Sequence, residues 1–380
     1  MSDYDVAVVG LGAMGAHTAQ HLAARGLRVL GLERFAPLHD KGSSHGDSRL
    51  IRLGYFEGSA YVPLLRRAYA NWRELERRSG EELLTITGLL EIGRVEGRVV
   101  SGARAACEAN GIAHEMLDAA AVARRYPVVA MRDGDVALLE ADGGFLRPER
   151  AVAAAQRLAA ADGAELRFNE RVTAIEPDDA GVTVATAAGR YRAGRVVVAA
   201  GSYVAGLVPQ LARYATPILQ VVGWYPSRRG AATGIGQLPG FIVDEGEWSF
   251  FGLPDLGEGV KIGCHARRGA AIDPEQPNPA VSDEDRAVLD DFAARRLPGV
   301  APQGTRFVRC RYTMLPGEDF LIDFVPGEER VIVASPCSGH GFKFASVIGE
   351  VLADLAATGG TELPIELFSW AALERRAAIY

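Results

Sequence analysis

The stretch "YDVAVVGLGAMGAHTAQHLAARGLRVLGLERF" constrains the fold more than any other part of the chain. An apolar run from Val6 to Val9 has the character of a strand buried on both faces. Gly10, Gly12 and Gly15 follow at once with Gly-x-Gly-x-x-Gly spacing. Small residues then recur at helical intervals, Ala16, Ala19 and Ala23, and a second strand over Val29–Leu32 ends at Glu33. A strand, a glycine turn, a helix and a second strand ending in an acid form the first half of a doubly wound α/β layer. The glycines permit a tight turn and let a pyrophosphate approach the helix N-terminus, where free amides and the helix dipole favour an anion. Glu33 can accept hydrogen bonds from both ribose hydroxyls. Dinucleotide binding is the expectation, and this motif alone does not separate NAD from FAD.

Composition narrows the partners. The net charge of −7 leaves no basic face for nucleic acid. No apolar run reaches the roughly 20 residues of a membrane helix, and the acidic, glycine-broken start is unlike a secretory signal. Cytoplasmic residence is therefore expected. The four cysteines, Cys107, Cys264, Cys310 and Cys337, contain no Cys-x-x-Cys pair, which gives a zinc site little support. Disulfides are not expected in a reducing compartment. Cys310 lies between Arg309 and Arg311 in "RFVRCRYTMLPGEDFLIDF". On its own residues it is either an inert buried thiol or a reactive one.

Along the chain, residues 61 to 78 have the pattern of an amphipathic helix and "LLTITGLLEIG" that of a strand. Further helices are expected near 97–110, 148–162 and 282–296, the second of them opened by proline. "VTAIEP", "GVTVATA" and "GRYRAGRVVVAAG" give short strands, and the last ends in Ala200-Gly201. That strand resembles the second glycine-bearing strand turn of FAD-dependent oxidoreductases. From 213 to 304 the texture is strand-like with proline-rich loops, and the tail holds a hairpin, a glycine-rich loop and a long helix. The expected class is α/β: a Rossmann-like FAD-binding domain from segments 1–80, 148–212 and 305–380, interleaved with an α+β substrate domain from 81–147 and 213–304 on a mostly antiparallel sheet.

Three further stretches carry candidate chemistry. In "KGSSHGDSRLIRLGYFEG", Arg49 and Arg52 are three apart, on one side of a helical turn if the segment is helical. Arg52 could clamp a carboxylate, or both arginines could pair with Asp47 and Glu57 in a solvated loop. In "SGHGFKFAS", Gly339 and Gly341 precede a helix expected to begin near Lys343, whose N-terminus would stabilise negative charge on a reduced flavin. In "GVKIGCHARRG", Lys261 and His265 share one face of a strand, either toward a site or on an exposed edge.

Together "GLGAMG", "GSSHGDSRLIR", "EGSAYVPLLRRA", "TGLLEIG", "KIGCH", "CRYT", "DFLID" and "SGHGFKFAS" resemble the monomeric sarcosine oxidase and N-methyltryptophan oxidase family nearly end to end. The resemblance implies an FAD-dependent oxidase demethylating sarcosine or a similar N-methyl amino acid to the amine, formaldehyde and hydrogen peroxide, with oxygen as acceptor. It implies a thioether from Cys310 to the 8α-methyl of FAD, with Arg309 or Arg311 favouring the thiolate. Arg52 and Lys343 would hold the substrate carboxylate, Tyr312 and His265 would line the pocket, and Lys261 would stand by the flavin where oxygen is reduced. Gly12, Gly15 and Glu33 match its ADP-binding segment. Gly10, Met14, Arg34, Ser44, His45, Arg49, Val172, Gly201, Gly339 and Gly341 complete the cofactor set, and a monomer is expected. Phe251 stands where a tyrosine is common in the family. The lead "SPCSGHG" and the segment "RLGYFEG" also depart from its pattern. Another secondary amino acid (N-methyltryptophan, pipecolate, proline or a glycated one) is the alternative substrate. An FAD dehydrogenase with a non-oxygen acceptor and a non-catalytic NAD sensor are the alternative functions.

Overall fold

The computed structural model describes residues 3–266 and 269–379. Two eight-stranded sheets and a small third one organise it. In the first sheet the buried strand Tyr4–Val9 runs parallel to Val29–Leu32 on one side and to Arg190–Val198 on the other. Glu328–Ala334 adds a further parallel partner to Arg190–Val198. Helix Ala13–Ala24 covers this layer and packs against helices Pro148–Ala161 and Ala345–Thr358. Its small buried residues, Ala16 and Ala19 among them, allow that close packing.

The second sheet runs in the order Arg306–Met314, Thr216–Tyr225, Val260–Ala266, Trp248–Leu253, Gly240–Asp244, Leu89–Arg94, Asp135–Glu140, Glu115–Leu117. Its pairs are antiparallel except Gly240–Asp244 with Leu89–Arg94. The expected α/β class with a mostly antiparallel second sheet is what the chain adopts. The third sheet joins Arg49–Ile51, Gly144–Leu146 and Leu84–Ile86.

Three local expectations need correction. The single strand expected over "LLTITGLLEIG" is two, Leu84–Ile86 and Leu89–Arg94, because Thr87 and Gly88 both donate to the carbonyl of Gly143 and turn the chain. The Arg49 segment is a strand, not a helical turn, so Arg49 and Arg52 point to different neighbours. Finally, Arg306–Met314 pairs along its length with Thr216–Tyr225 in the second sheet. The segment from 305 onward thus gives one strand to the second layer before returning to the first.

Among the described residues no helix is long and apolar enough to cross a membrane.

Candidate active site

A cavity of about 500 Å³ runs from the glycine turn of the first sheet to one face of the second. At the first end Gly10 has φ +91°, and a side chain there would meet the Ala199 carbonyl at 2.6 Å. Gly15 does not line the cavity; a Cβ on it would lie 1.7 Å from the Gly10 oxygen, so its bareness lets the helix start against the turn. Gly12 and Met14 do line it, and the Ser44 hydroxyl accepts from the Ala13 amide at 3.2 Å. Glu33 is buried and accepts from the Leu11 and Phe35 amides at 2.8 and 3.0 Å. Arg34 pairs with Glu275 and stacks over Tyr203, while Val172 and Gly201 close the wall.

These features suit a dinucleotide: bare α-carbons at the turn, and a carboxylate at the second strand's end. Farther along the wall, the buried Nε2 of His45 has no hydrogen-bond partner, so a polar group of a ligand would satisfy it.

The second sheet supplies the other end. Phe251, Gly263 and Val222 lie in one cross-strand row, and His265 pairs with Ser249 in the next row on the same face. Lys261, Gly263 and His265 alternate onto that face as expected. His265 and Tyr312 have ring centroids 5.4 Å apart, with Gly339 between them. A Cβ on Gly339 would lie 2.3 Å from His265 Cε1 and 2.6 Å from Tyr312 Cε2, so only a glycine with φ +82° fits there. Burial lowers the His265 pKa, with Glu57 and Glu318 opposing, and raises that of Tyr312. The imidazole is therefore neutral and adds no charge to a bound amine. Gly341 closes the next turn tightly, since a Cβ there would meet the Pro336 oxygen at 1.7 Å.

Two cations flank the ring of Tyr55: the Arg52 guanidinium 4.3 Å and the Lys343 ammonium 5.1 Å from its centroid. Both line the cavity. Lys343 donates to the His340 carbonyl at 2.7 Å; burial pulls its pKa down to about 7, Arg52 adds to this, and Glu57 and Glu91 oppose it. Arg52 is buried and donates from Nη2 to both oxygens of Glu57, at 2.9 and 2.7 Å. Burial would raise the Glu57 pKa, but Arg52, His340 and Lys343 outweigh it and hold it at about 2. The Arg52–Glu57 pairing seen as an alternative in the sequence is real, but it is buried rather than solvated. The Arg49–Asp47 pairing is not made; Asp47 pairs with Arg306.

Cys310 is buried and lines the cavity. Its basic neighbours in sequence do not touch the sulfur. Alternation sends Arg309 to Asp285 and the carbonyls of Pro279 and Ala280, and Arg311 to Asn278, Tyr203 and two carbonyls. The cation at the thiol is Arg49, whose Nη2 lies 3.5 Å from Sγ while also donating to Ser43 and His45 carbonyls.

Lys261 is buried on an interior strand, not on an exposed edge, and stands one layer behind the cavity wall. Nζ donates to the carbonyls of Gly46 and Ser48 at 2.5 and 2.8 Å. Burial pulls its pKa well below the usual lysine range; Arg49 adds to this, while Cys310, Asp47 and Glu149 oppose it. Cys337 and His340 have Cys-x-x-His spacing, but both His340 nitrogens are engaged, by Tyr55 Oη and the Glu318 carbonyl.

Sequence reasoning missed three acids around Arg52. Glu57 appeared only as a surface partner, and Glu91 and Glu140 not at all. Glu140 accepts from the Leu53 and Gly54 amides at 2.8 and 2.7 Å. The available signal was a lone acid inside the apolar strand "TGLLEIG".

Residues 5–355 match the family described as FAD dependent oxidoreductase. The chain is 40% identical over 371 residues to the monomeric sarcosine oxidase of Streptomyces avermitilis, covering 96% of each chain. It is 36% identical over 356 residues to the N-methyl-L-tryptophan oxidase of Citrobacter koseri, covering 93% of this chain and 94% of that one. Among solved structures it is similar to NikD, described as an unusual amino acid oxidase essential for nikkomycin biosynthesis. That likeness has a TM-score of 0.85 at 29% identity and covers 97% of this chain and 98% of the other. A glycine turn with its acid, a cavity joining two sheets and these end-to-end likenesses agree: the chain belongs to the FAD-dependent oxidoreductase family, among its amine oxidases.

Proposed function

We propose that the protein is an FAD-dependent oxidase of N-methyl amino acids, with sarcosine or a close analogue as substrate. The observation that carries this is the pair of buried cations, Arg52 and Lys343, in one cavity with the His265–Tyr312 wall and the dinucleotide turn. Arg52 and Lys343 bind and orient the substrate carboxylate, and the planar guanidinium suits two oxygens at once. The amine must lose its proton before oxidation, and the two cations disfavour a second positive charge nearby. Neutral His265 accepts that proton, and Tyr312 and Phe251 exclude water. FAD, when bound, supplies the two-electron oxidation of the N-methyl C–H and hands the electrons to oxygen, giving hydrogen peroxide. The imine product then hydrolyses to the amine and formaldehyde.

Within the same reading, Cys310 is the covalent anchor for FAD, and Lys261 supplies positive charge where oxygen is reduced. Segments 1–80, 148–212 and 305–380 make the FAD-binding part, apart from the strand Arg306–Met314, and 81–147 with 213–304 the substrate part. A cytoplasmic monomer completes the proposal.

A second reading concerns the substrate's size. Leu50, Phe56, Ile242 and Phe251 form an apolar patch on the cavity wall. A secondary amino acid with an apolar side chain would cover it, whereas sarcosine would leave it to water. An aerobic peroxide assay over sarcosine, N-methyl-L-tryptophan, L-proline and L-pipecolate tests both readings. Peroxide from none of the four would reject the proposed substrate class.

A further inference from the structure

Glu91 sits in the middle of the strand Leu89–Arg94, whose first five residues are all buried. It is fully buried itself, an expensive position for a carboxyl without a partner. Its register runs through Ile242 to Phe251, so it belongs to the same cross-strand row and the same sheet face as the pocket residues. Glu91 does not line the cavity. Arg52 lies over it: Nε is 3.5 Å from Glu91 Oε1. Neither Arg52 Nε nor either Glu91 oxygen has a hydrogen-bond partner. The remaining donors of Arg52 are taken on other sides, Nη1 by the Gly54 carbonyl and Nη2 by Glu57.

Arg52 therefore has two acidic neighbours of different kinds. Glu57 comes from the loop on the cavity side and holds the very edge a substrate carboxylate needs. Glu91 comes from a rigid interior strand beneath and faces an edge that no substrate reaches. An unmade contact of 3.5 Å between two unsatisfied buried groups is one small rotation from a hydrogen bond.

We propose that Glu91 is the positioning residue of Arg52. It fixes the guanidinium through Nε while the Nη2 edge exchanges Glu57 for the carboxylate of the substrate. The inference rests on the reading of Arg52 as the carboxylate binder. Burial raises the Glu91 pKa well above the carboxylate range, Arg52 opposing and Glu140 adding to it. A neutral acid still offers a carbonyl oxygen to Nε–H, so an amide can replace it and a hydrocarbon cannot.

The test uses the holoenzyme and pyrrole-2-carboxylate, an aromatic N–H carboxylate with no saturated C–H beside its nitrogen to be oxidised. Its dissociation constant is measured by calorimetry for wild type, Glu91→Gln, Glu91→Val and Arg52→Ala, with pyrrole as the control that lacks a carboxylate. Expected are a value within about twofold of wild type for Glu91→Gln and a weakening of about tenfold or more for Glu91→Val, with pyrrole binding unchanged. Thermal melting separates this from a merely structural role, which would move stability and both ligands together. Unchanged pyrrole-2-carboxylate affinity in Glu91→Val, with Arg52→Ala clearly weakened, overturns the Glu91 inference alone. Equal loss in the Gln and Val variants also overturns it, because the amide keeps the acceptor. Unchanged affinity in Arg52→Ala would instead sink the reading of Arg52 itself.

Discussion

Glu57 competes with the substrate for Arg52, and replacing it by glutamine should make carboxylates bind more tightly. Its two oxygens meet Nη2 at 2.9 and 2.7 Å, and it stays ionised because Arg52, His340 and Lys343 hold its pKa at about 2. Glutamine keeps a hydrogen bond to the charged guanidinium and loses the attraction between the two full charges, a net difference on the order of 1 kcal/mol. Glu57→Gln would thus lower the cost of displacement by about 1 kcal/mol, roughly a fivefold gain in affinity. One effect runs the other way. Glu57 also raises the Lys343 pKa, so its loss favours the neutral amine of Lys343. The comparison therefore belongs well below pH 7, where the loss of Glu57 costs Lys343 the least protonation. Titration of pyrrole-2-carboxylate into the holoenzyme gives the dissociation constant, and steady-state kinetics give the KM of whichever N-methyl substrate is active. Weaker binding in Glu57→Gln would mean that Glu57 holds Arg52 in its working position rather than blocking it.

Flavin should remain with the protein after acid precipitation, and Cys310→Ser should release it to the supernatant; colour lost from wild type removes the anchor assignment. Lys261→Met should leave anaerobic reduction by substrate nearly unchanged and slow reoxidation by oxygen. From behind the wall a unit charge contributes less than the roughly 4 kcal/mol it would at about 4 Å and an effective dielectric near 20, so the slowing should be on the order of tenfold. Stopped-flow measurement of the two half-reactions decides, and equal slowing of both would count against an oxygen-side role. Lys343 carries its charge below about pH 7 and loses it above. For a carboxylate substrate, kcat/KM corrected for the fraction of uncharged amine should therefore fall as pH rises through about 7. Lys343→Met should abolish that limb, and a limb that persists belongs to another group.

What the sequence made legible was local or periodic. The glycine turn and Glu33 are read from spacing because the strand, turn and helix are contiguous. Lys261 and His265 were placed on one face because a strand repeats every two residues. The same rule, applied to Arg309, Cys310 and Arg311, would have shown that both arginines point away from the thiol. The approach of Arg49 to Cys310 was hidden, since it joins residues far apart in the chain. Glu91 and Glu140 escaped for a like reason: a buried acid gains meaning only from the cation above it. Arg306–Met314 looks like any other strand, and its sheet is decided by the partner it finds.

The central strand of the first sheet has a long wait during synthesis. Tyr4–Val9 leaves the ribosome well before its partner Arg190–Val198, which follows about 190 residues later. At about 5–20 residues per second the apolar run stays without that neighbour for roughly 10–40 s. Such a segment is a target for chaperones and a seed for aggregates while it is bare. The strand Glu328–Ala334 joins later still. Yield in a heterologous host should then depend on elongation speed and chaperone supply more than on the stability of the finished enzyme.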